Sequence, residues 1–208
     1  MGERKTYCDA CQREVSPEHL QWRIHRIQLA SRYRPFRIEI LFLGETPPLK
    51  PEDYFYAETE KTGLSQALFV GLMEALKIRA ENTASALKEF QKRDAFFADV
   101  LECPVEELAS AASPAPEALD WAALVNRYGS GVLTRIRHSY RPAWIIPISR
   151  HLHRHFVPQL QATDLASRLL LYEGEPLPFP HPHNAVVQEQ FRSGVQQLLA
   201  QIHRAKTG

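Results

Sequence analysis

Arg37-Ile38-Glu39-Ile40-Leu41-Phe42-Leu43 runs almost unbroken in apolar and β-branched residues and stops at Gly44. A strand with one wet face alternates polar and apolar residues, so this run predicts a strand buried on both faces. Such a strand needs helices above and below it, and the flanking segments supply them. Ser16-Pro17-Glu18 reads as an N-cap followed by proline at the first helical position, opening a helix from about Pro17 to Tyr33. Apolar residues recur at helical spacing over Leu64 to Ala80, Thr83 to Gln91 and Leu119 to about Tyr128, where Gly129-Ser130-Gly131 is expected to interrupt the helix. Asn184 is expected to cap a last amphipathic helix reaching about Arg204.

Ala95 to Leu101, Ala143 to Ile148 and Arg168 to Tyr172 read as three further strands. Strands separated by helices predict an α/β fold, a three-layer sandwich around a mostly parallel sheet. The chain divides into an N-terminal CxxC knuckle with its helix, 1–35, and a main α/β unit, 36–208, in one compact body. Ser110 to Pro116, rich in alanine, serine and proline, reads as a surface linker or variable insertion.

Hydrophobic residues at 44% and charged residues at 24% of 208 exclude a disordered or fibrous chain. No apolar run approaches the ~20 residues of a membrane helix, and the N-terminus lacks a signal-peptide core, so no membrane association and a cytoplasmic monomer are expected. Twenty-five basic residues against 24 acidic ones leave a net charge of +1, without the global basic bias of many nucleic-acid binders. A local patch around the third strand, including Arg137, Arg141 and Arg150 with Tyr140 interleaved, can still track DNA phosphates, or form a solvated face. His151 and His155, four apart on one helix face, read as solvated or phosphate-facing rather than as metal ligands.

In open α/β sheets ligands bind outside the carboxyl ends of the strands. That rule selects Gly44-Glu45-Thr46-Pro47-Pro48, Asp99-Val100-Leu101-Glu102-Cys103 and His181-Pro182-His183-Asn184. In order and placement these three segments resemble the motifs of the uracil-DNA glycosylase superfamily. The nearest pattern is its iron-sulfur branch, family 4, which also carries an N-terminal CxxC and a cysteine just after the middle strand. The resemblance spans roughly Thr6 to the final helix. It implies base-excision chemistry on DNA: Glu45 would position or activate water, His181 would donate to the departing base, and Phe55 would stack on the extruded base. Gly44, Thr46, Asp99, His183 and Asn184 would surround that base, and no cofactor would be needed for the chemistry.

Two residues depart from the pattern. Thr46 stands where the fastest branch has aspartate, which leaves water activation to Glu45. Asp99 stands where uracil-reading relatives carry asparagine. An ionised carboxylate only accepts hydrogen bonds, which suits the exocyclic amino group of cytosine and repels the 4-carbonyl of uracil. Full pairing with cytosine needs one extra proton, on Asp99 or on the ring. The expected base is therefore cytosine or a modified cytosine, and a bulky phage-type modification would make a role in anti-phage defence a natural one. Two other readings stay open: a catalytically weak nucleic-acid binder of the same fold, and a metal-stabilised adaptor with no enzymatic role.

Three cysteines in a chain without a signal peptide argue against a disulfide framework. Cys8 and Cys11 have metal-ligand spacing, and the resemblance makes Cys103 a third ligand. No fourth cysteine exists, so a histidine must complete a closed site. His19 and His25 are the candidates on different helix faces, and the expected set is Cys8, Cys11, Cys103 and His25. Three thiolates and an imidazole slightly favour structural zinc over an iron-sulfur cluster.

Overall fold

A computed structural model describes residues 6–105 and 121–207. The Ser110 to Pro116 run and the first residues of the helix expected from Leu119 lie outside them. Strand β3 (Ile40–Gly44) is buried at every position, as its composition requires. It pairs in parallel with β4 (Ala95–Asp99), Ile40 opposite Ala95 and Gly44 opposite Asp99. On its other side it pairs in parallel with β5 (Trp144–Pro147), Ile40 opposite Trp144. The order is β4-β3-β5, and with helices packed around it the fold is α/β with a parallel three-stranded sheet. Leu41, Phe42, Leu43, Ile145 and Ile146 are fully buried beneath these helices, among them α2 (Gly63–Ala75) and α3 (Thr83–Lys92). Among the described residues no helix is long and apolar enough to cross a membrane.

The outer edge of β4 is closed by a side chain rather than by a strand. The Phe97 amide donates to the Tyr56 hydroxyl (2.7 Å), which donates back to the Phe97 carbonyl (3.0 Å). Tyr56 is fully buried, and both edge groups of that residue are thereby satisfied.

Two expectations need correction. Arg168 to Tyr172 does not form a regular strand. The segment touches the sheet at an isolated bridge, Ile145 to Leu169, and a second bridge joins Ile148 to Leu177. The reason is local: Tyr172 and Glu175 exchange backbone hydrogen bonds across Glu173 and Gly174, both at positive φ, and this tight turn reverses the chain before a strand can extend. Nor do Gly129 and Gly131 break their helix. Helix α4 runs unbroken over Trp121–Arg135 and widens into a π-turn, Ile136–Tyr140, which ends on Arg141 at φ 46°. A Cβ at Gly129 would make only ordinary contact with the Phe156 ring, 3.4 Å away, and the helix carries the glycine at modest cost.

At the N-terminus, β1 (Thr6–Cys8) and β2 (Arg13–Val15) form an antiparallel hairpin around the CxxC turn, followed by helix α1 (Pro17–Arg32). The Ser16 hydroxyl caps that helix by accepting from the His19 amide (3.3 Å).

Candidate active site and metal centre

Gly44 ends β3, and the chain beyond it stays tied to the loop after β4. The Gly44 carbonyl accepts from the Val100 amide (3.0 Å), and the Glu45 carbonyl from the Leu101 amide (2.9 Å). The Thr46 hydroxyl donates to the Cys103 carbonyl (3.1 Å). The first two sequence motifs thus meet at the carboxyl ends of adjacent strands. A cavity of about 580 Å³ opens there, lined by Gly44, Glu45, Thr46, Phe55, Asp99 and His181, together with Ser149 and His151.

Glu45 is held through one oxygen. Its Oε1 accepts from the Ser149 hydroxyl and pairs with His151 Nδ1 at 2.9 Å. No described residue occupies Oε2. Burial pushes the Glu45 carboxyl above its usual range, and the facing His151 opposes that rise. His151 is itself placed by stacking on Trp121, with ring centroids 5.1 Å apart. Ser149 sits at φ 98°, a conformation costly for a residue with a side chain, and this sharp turn at the end of β5 brings its hydroxyl and His151 to Glu45. His151 is exposed, as expected of a solvated histidine, and it also lines the cavity and pairs with Glu45. The rule that pointed to strand ends applies to β5 as well, and would have found both residues.

Asp99 accepts no hydrogen bond among the described residues. Burial pushes its carboxyl up to about 7, with the charge of Arg26 opposing the rise and that of Glu45 adding to it. Gly44 makes room for it. A Cβ on Gly44 would lie 2.5 Å from Phe97 Cζ and 2.7 Å from Asp99 Oδ1. Gly44→Ala is expected to destabilise the protein by about 1–3 kcal/mol through overpacking and to displace Asp99; urea unfolding that matches the wild type would show that the strand end is not packed this closely.

Phe55 is buried with one face stacked on Phe97, centroids 4.7 Å apart, and it still contributes to the cavity wall. His181 stands at the exposed rim, its Nδ1 accepting from the His183 amide (3.4 Å). His183 and Asn184 do not line the cavity. Asn184 caps the last helix, α6 (Ala185–Thr207), its side-chain oxygen accepting from the Val187 amide (3.1 Å), so its expected base contact is replaced by a capping role. Arg137 is paired with Asp164 (2.9 Å), Arg141 occupies the left-handed turn, and Arg150 is exposed at the start of α5 (Arg150–His155) beside Ser149. Of the three, Arg150 is next to the cavity in sequence.

A second centre lies behind the Thr46 to Cys103 link. Cys8, Cys11, His19 and Cys103 are all buried, and their ligand atoms lie within 4.8 Å of one another. Cys8 Sγ to Cys103 Sγ is 3.8 Å, Cys11 Sγ to His19 Nε2 is 3.7 Å, and Cys103 Sγ to His19 Nε2 is 3.4 Å. Burial, then the neighbouring Cys8, pushes the Cys11 thiol up to about 11, and burial pushes Cys103 up as well. The four residues could hold a metal ion, which would take the thiols as thiolates. His19, not His25, completes the set. His25 lies six residues further along α1, about 9 Å along the axis, and is exposed with its ring against Trp22.

No family model matches this chain, and no curated protein is detectably similar to it. The functional reading rests on the geometry.

Proposed function

We propose that the protein is a DNA glycosylase that hydrolyses the N-glycosidic bond of an extruded cytosine-type base. The observation that carries this reading is the pairing of two carboxyls of unlike character in one cavity with an aromatic wall. Glu45 is clamped through Oε1 with Oε2 left for water, while Asp99 is unpartnered and carries its proton near neutrality. In the reaction the bond from the sugar C1′ to the base nitrogen breaks, and its electron pair leaves with the base. Water, positioned by Glu45, adds its oxygen to C1′ and gives up a proton to the free Oε2 of Glu45. His181 donates to the base oxygen where negative charge develops. Phe55 offers a π-face that replaces lost stacking.

Neutral Asp99 presents one donor and one acceptor, the complement of the ring nitrogen and amino group of cytosine. Neutral Asp99 also tolerates the 4-carbonyl of uracil, so pH separates the bases. The imino hydrogen of uracil lies between two carbonyls that repel a carboxylate, whereas the amino group of cytosine projects clear of the ring. Base release is therefore expected to fall as pH rises through about 7, and to fall further for uracil than for cytosine. Arg26 and Glu45, the charged groups facing Asp99, shift the midpoint in opposite directions. Asp99→Asn should remove this limb and turn preference toward uracil. Equal release of the two bases by the wild type at pH 8.5, or an unchanged profile in Asp99→Asn, would reject the assignment.

The metal is proposed to be zinc with a structural role. One tetrahedral ion with bonds of about 2.3 Å to sulfur and 2.0–2.1 Å to nitrogen places sulfurs about 3.8 Å apart and a sulfur about 3.6 Å from a nitrogen, close to the spacings here. In a 4Fe–4S cluster each ligand binds a different iron, and the ligands stand further apart.

A further inference from the structure

A second cavity, of about 380 Å³, lies on the other side of Asp99, between α1, the edge of β4 and the end of α4. Arg23, Arg26, Arg34 and Arg135 all line it. Arg23 is committed to Asp9 and Glu102, at 2.7 Å each, and Arg135 shares the same Glu102. Arg34 donates to the hydroxyl and carbonyl of Ser139 and lies over the Tyr140 ring, 5.3 Å from its centroid. Arg26 is different. It is 5% exposed, yet its guanidinium makes one long hydrogen bond, 3.4 Å to the Glu102 carbonyl, and no ion pair among the described residues. Of its five N–H donors, four find no acceptor there. The buried Nε of Arg135 has none either.

The unpaired nitrogens of Arg26 are not fully enclosed and open onto this cavity, where the nearby anions are already engaged. Glu102 serves two arginines, and Asp99 is only partly ionised near neutrality. Surplus planar donors in a cavity match an anion with several acceptor oxygens, and guanidinium forks fit phosphate best. Tyr54 and Tyr140 on the wall add rings against which a sugar or base can rest.

We propose that this cavity binds the phosphate of a nucleotide unit, with Arg26 and Arg135 as the buried donors and Arg34 at the mouth. The phosphate belongs either to a nucleic-acid strand or to a free nucleotide. Since Asp99 lines both cavities, an occupied phosphate site stands directly beside the base-reading carboxyl. The assignment does not require base cleavage, so it stands or falls separately from the glycosylase reading.

The test is calorimetric titration of the wild type with inorganic phosphate at constant ionic strength, chloride making up the balance. Saturable binding is expected, weakened about tenfold or more in Arg26→Gln. Arg34→Gln, at the exposed mouth, should weaken it by a smaller factor, and decides the matter if Arg26→Gln fails to fold. A mononucleotide 5′-phosphate that binds as tightly as a short single-stranded oligonucleotide identifies a free nucleotide; tighter binding of the oligonucleotide, lost with the same substitutions, identifies a strand. Phosphate that binds no better than chloride, or binding unchanged in the folded variants, overturns the proposal.

Discussion

Glu45→Gln should lower single-turnover release of a cytosine-type base by about 10²–10⁴-fold with no loss of thermal stability. The two halves of this result have separate causes. Glutamine keeps the shape of the side chain and can still accept from Ser149, but it cannot take a proton from water. The stability half follows from the direction of the pKa shift. Burial raises the folded-state pKa of Glu45, so its contribution to stability is greatest below the unfolded value and diminishes as pH rises through the folded one. At neutral pH the charge is a net cost of folding, and removing it leaves the melting temperature equal or higher. His151→Gln should cost less, about tenfold, because it removes a partner that orients Glu45 without removing the carboxylate. Undiminished base release in Glu45→Gln would remove that residue from the chemistry. A large drop in melting temperature would show instead that its role is structural.

Cys8→Ser should abolish stoichiometric metal and lower stability by about 3 kcal/mol or more, which for a chain of this length is a fall of roughly 6–12 °C in melting temperature. The wild type should carry one zinc per chain by elemental analysis and be colourless. The loss should reach the cavity, because the Thr46 hydroxyl rests on the Cys103 carbonyl and the Glu45 loop is anchored next to it. Cys8 lies far from Glu45 in sequence and outside the cavity lining, so reduced base release in Cys8→Ser would report this mechanical link. His25→Ala should change neither metal content nor melting temperature. Retained zinc in Cys8→Ser, or an iron-sulfur absorbance in the wild type, would contradict the assignment.

The parts of this architecture that were legible in the sequence are those set by burial. Ile40 to Leu43 could only be a covered strand, and Ser16-Pro17 could only open a helix beside the CxxC turn. The fourth strand was not legible, because Arg168 to Tyr172 has strand composition while Glu173-Gly174 decides that the chain turns back. The glycines of α4 were misleading for the opposite reason: a glycine inside a helix costs about 1 kcal/mol against alanine, which the surrounding helical pattern outweighs. At the metal centre the ligand types were readable, but the choice of histidine was a matter of distance along α1, and the first turn is the one that stays with the hairpin. At the cavity, Gly44, Glu45, Thr46, Phe55, Asp99 and His181 do come together, whereas His183 lies outside its lining and Asn184 caps the last helix. Ser149 carries no signal in its residue type and His151 reads as solvated, because the strained turn at the end of β5 that brings both to Glu45 is not written in either residue.

The most direct measurement is detection of abasic sites after incubating the wild-type protein with oligonucleotides that carry cytosine, a bulky modified cytosine or uracil at one position. Abasic product from a cytosine-type substrate, absent with Glu45→Gln and in excess of uracil release at alkaline pH, is the predicted result. No abasic product from any of the three, in a protein that is folded and carries its metal, would contradict it.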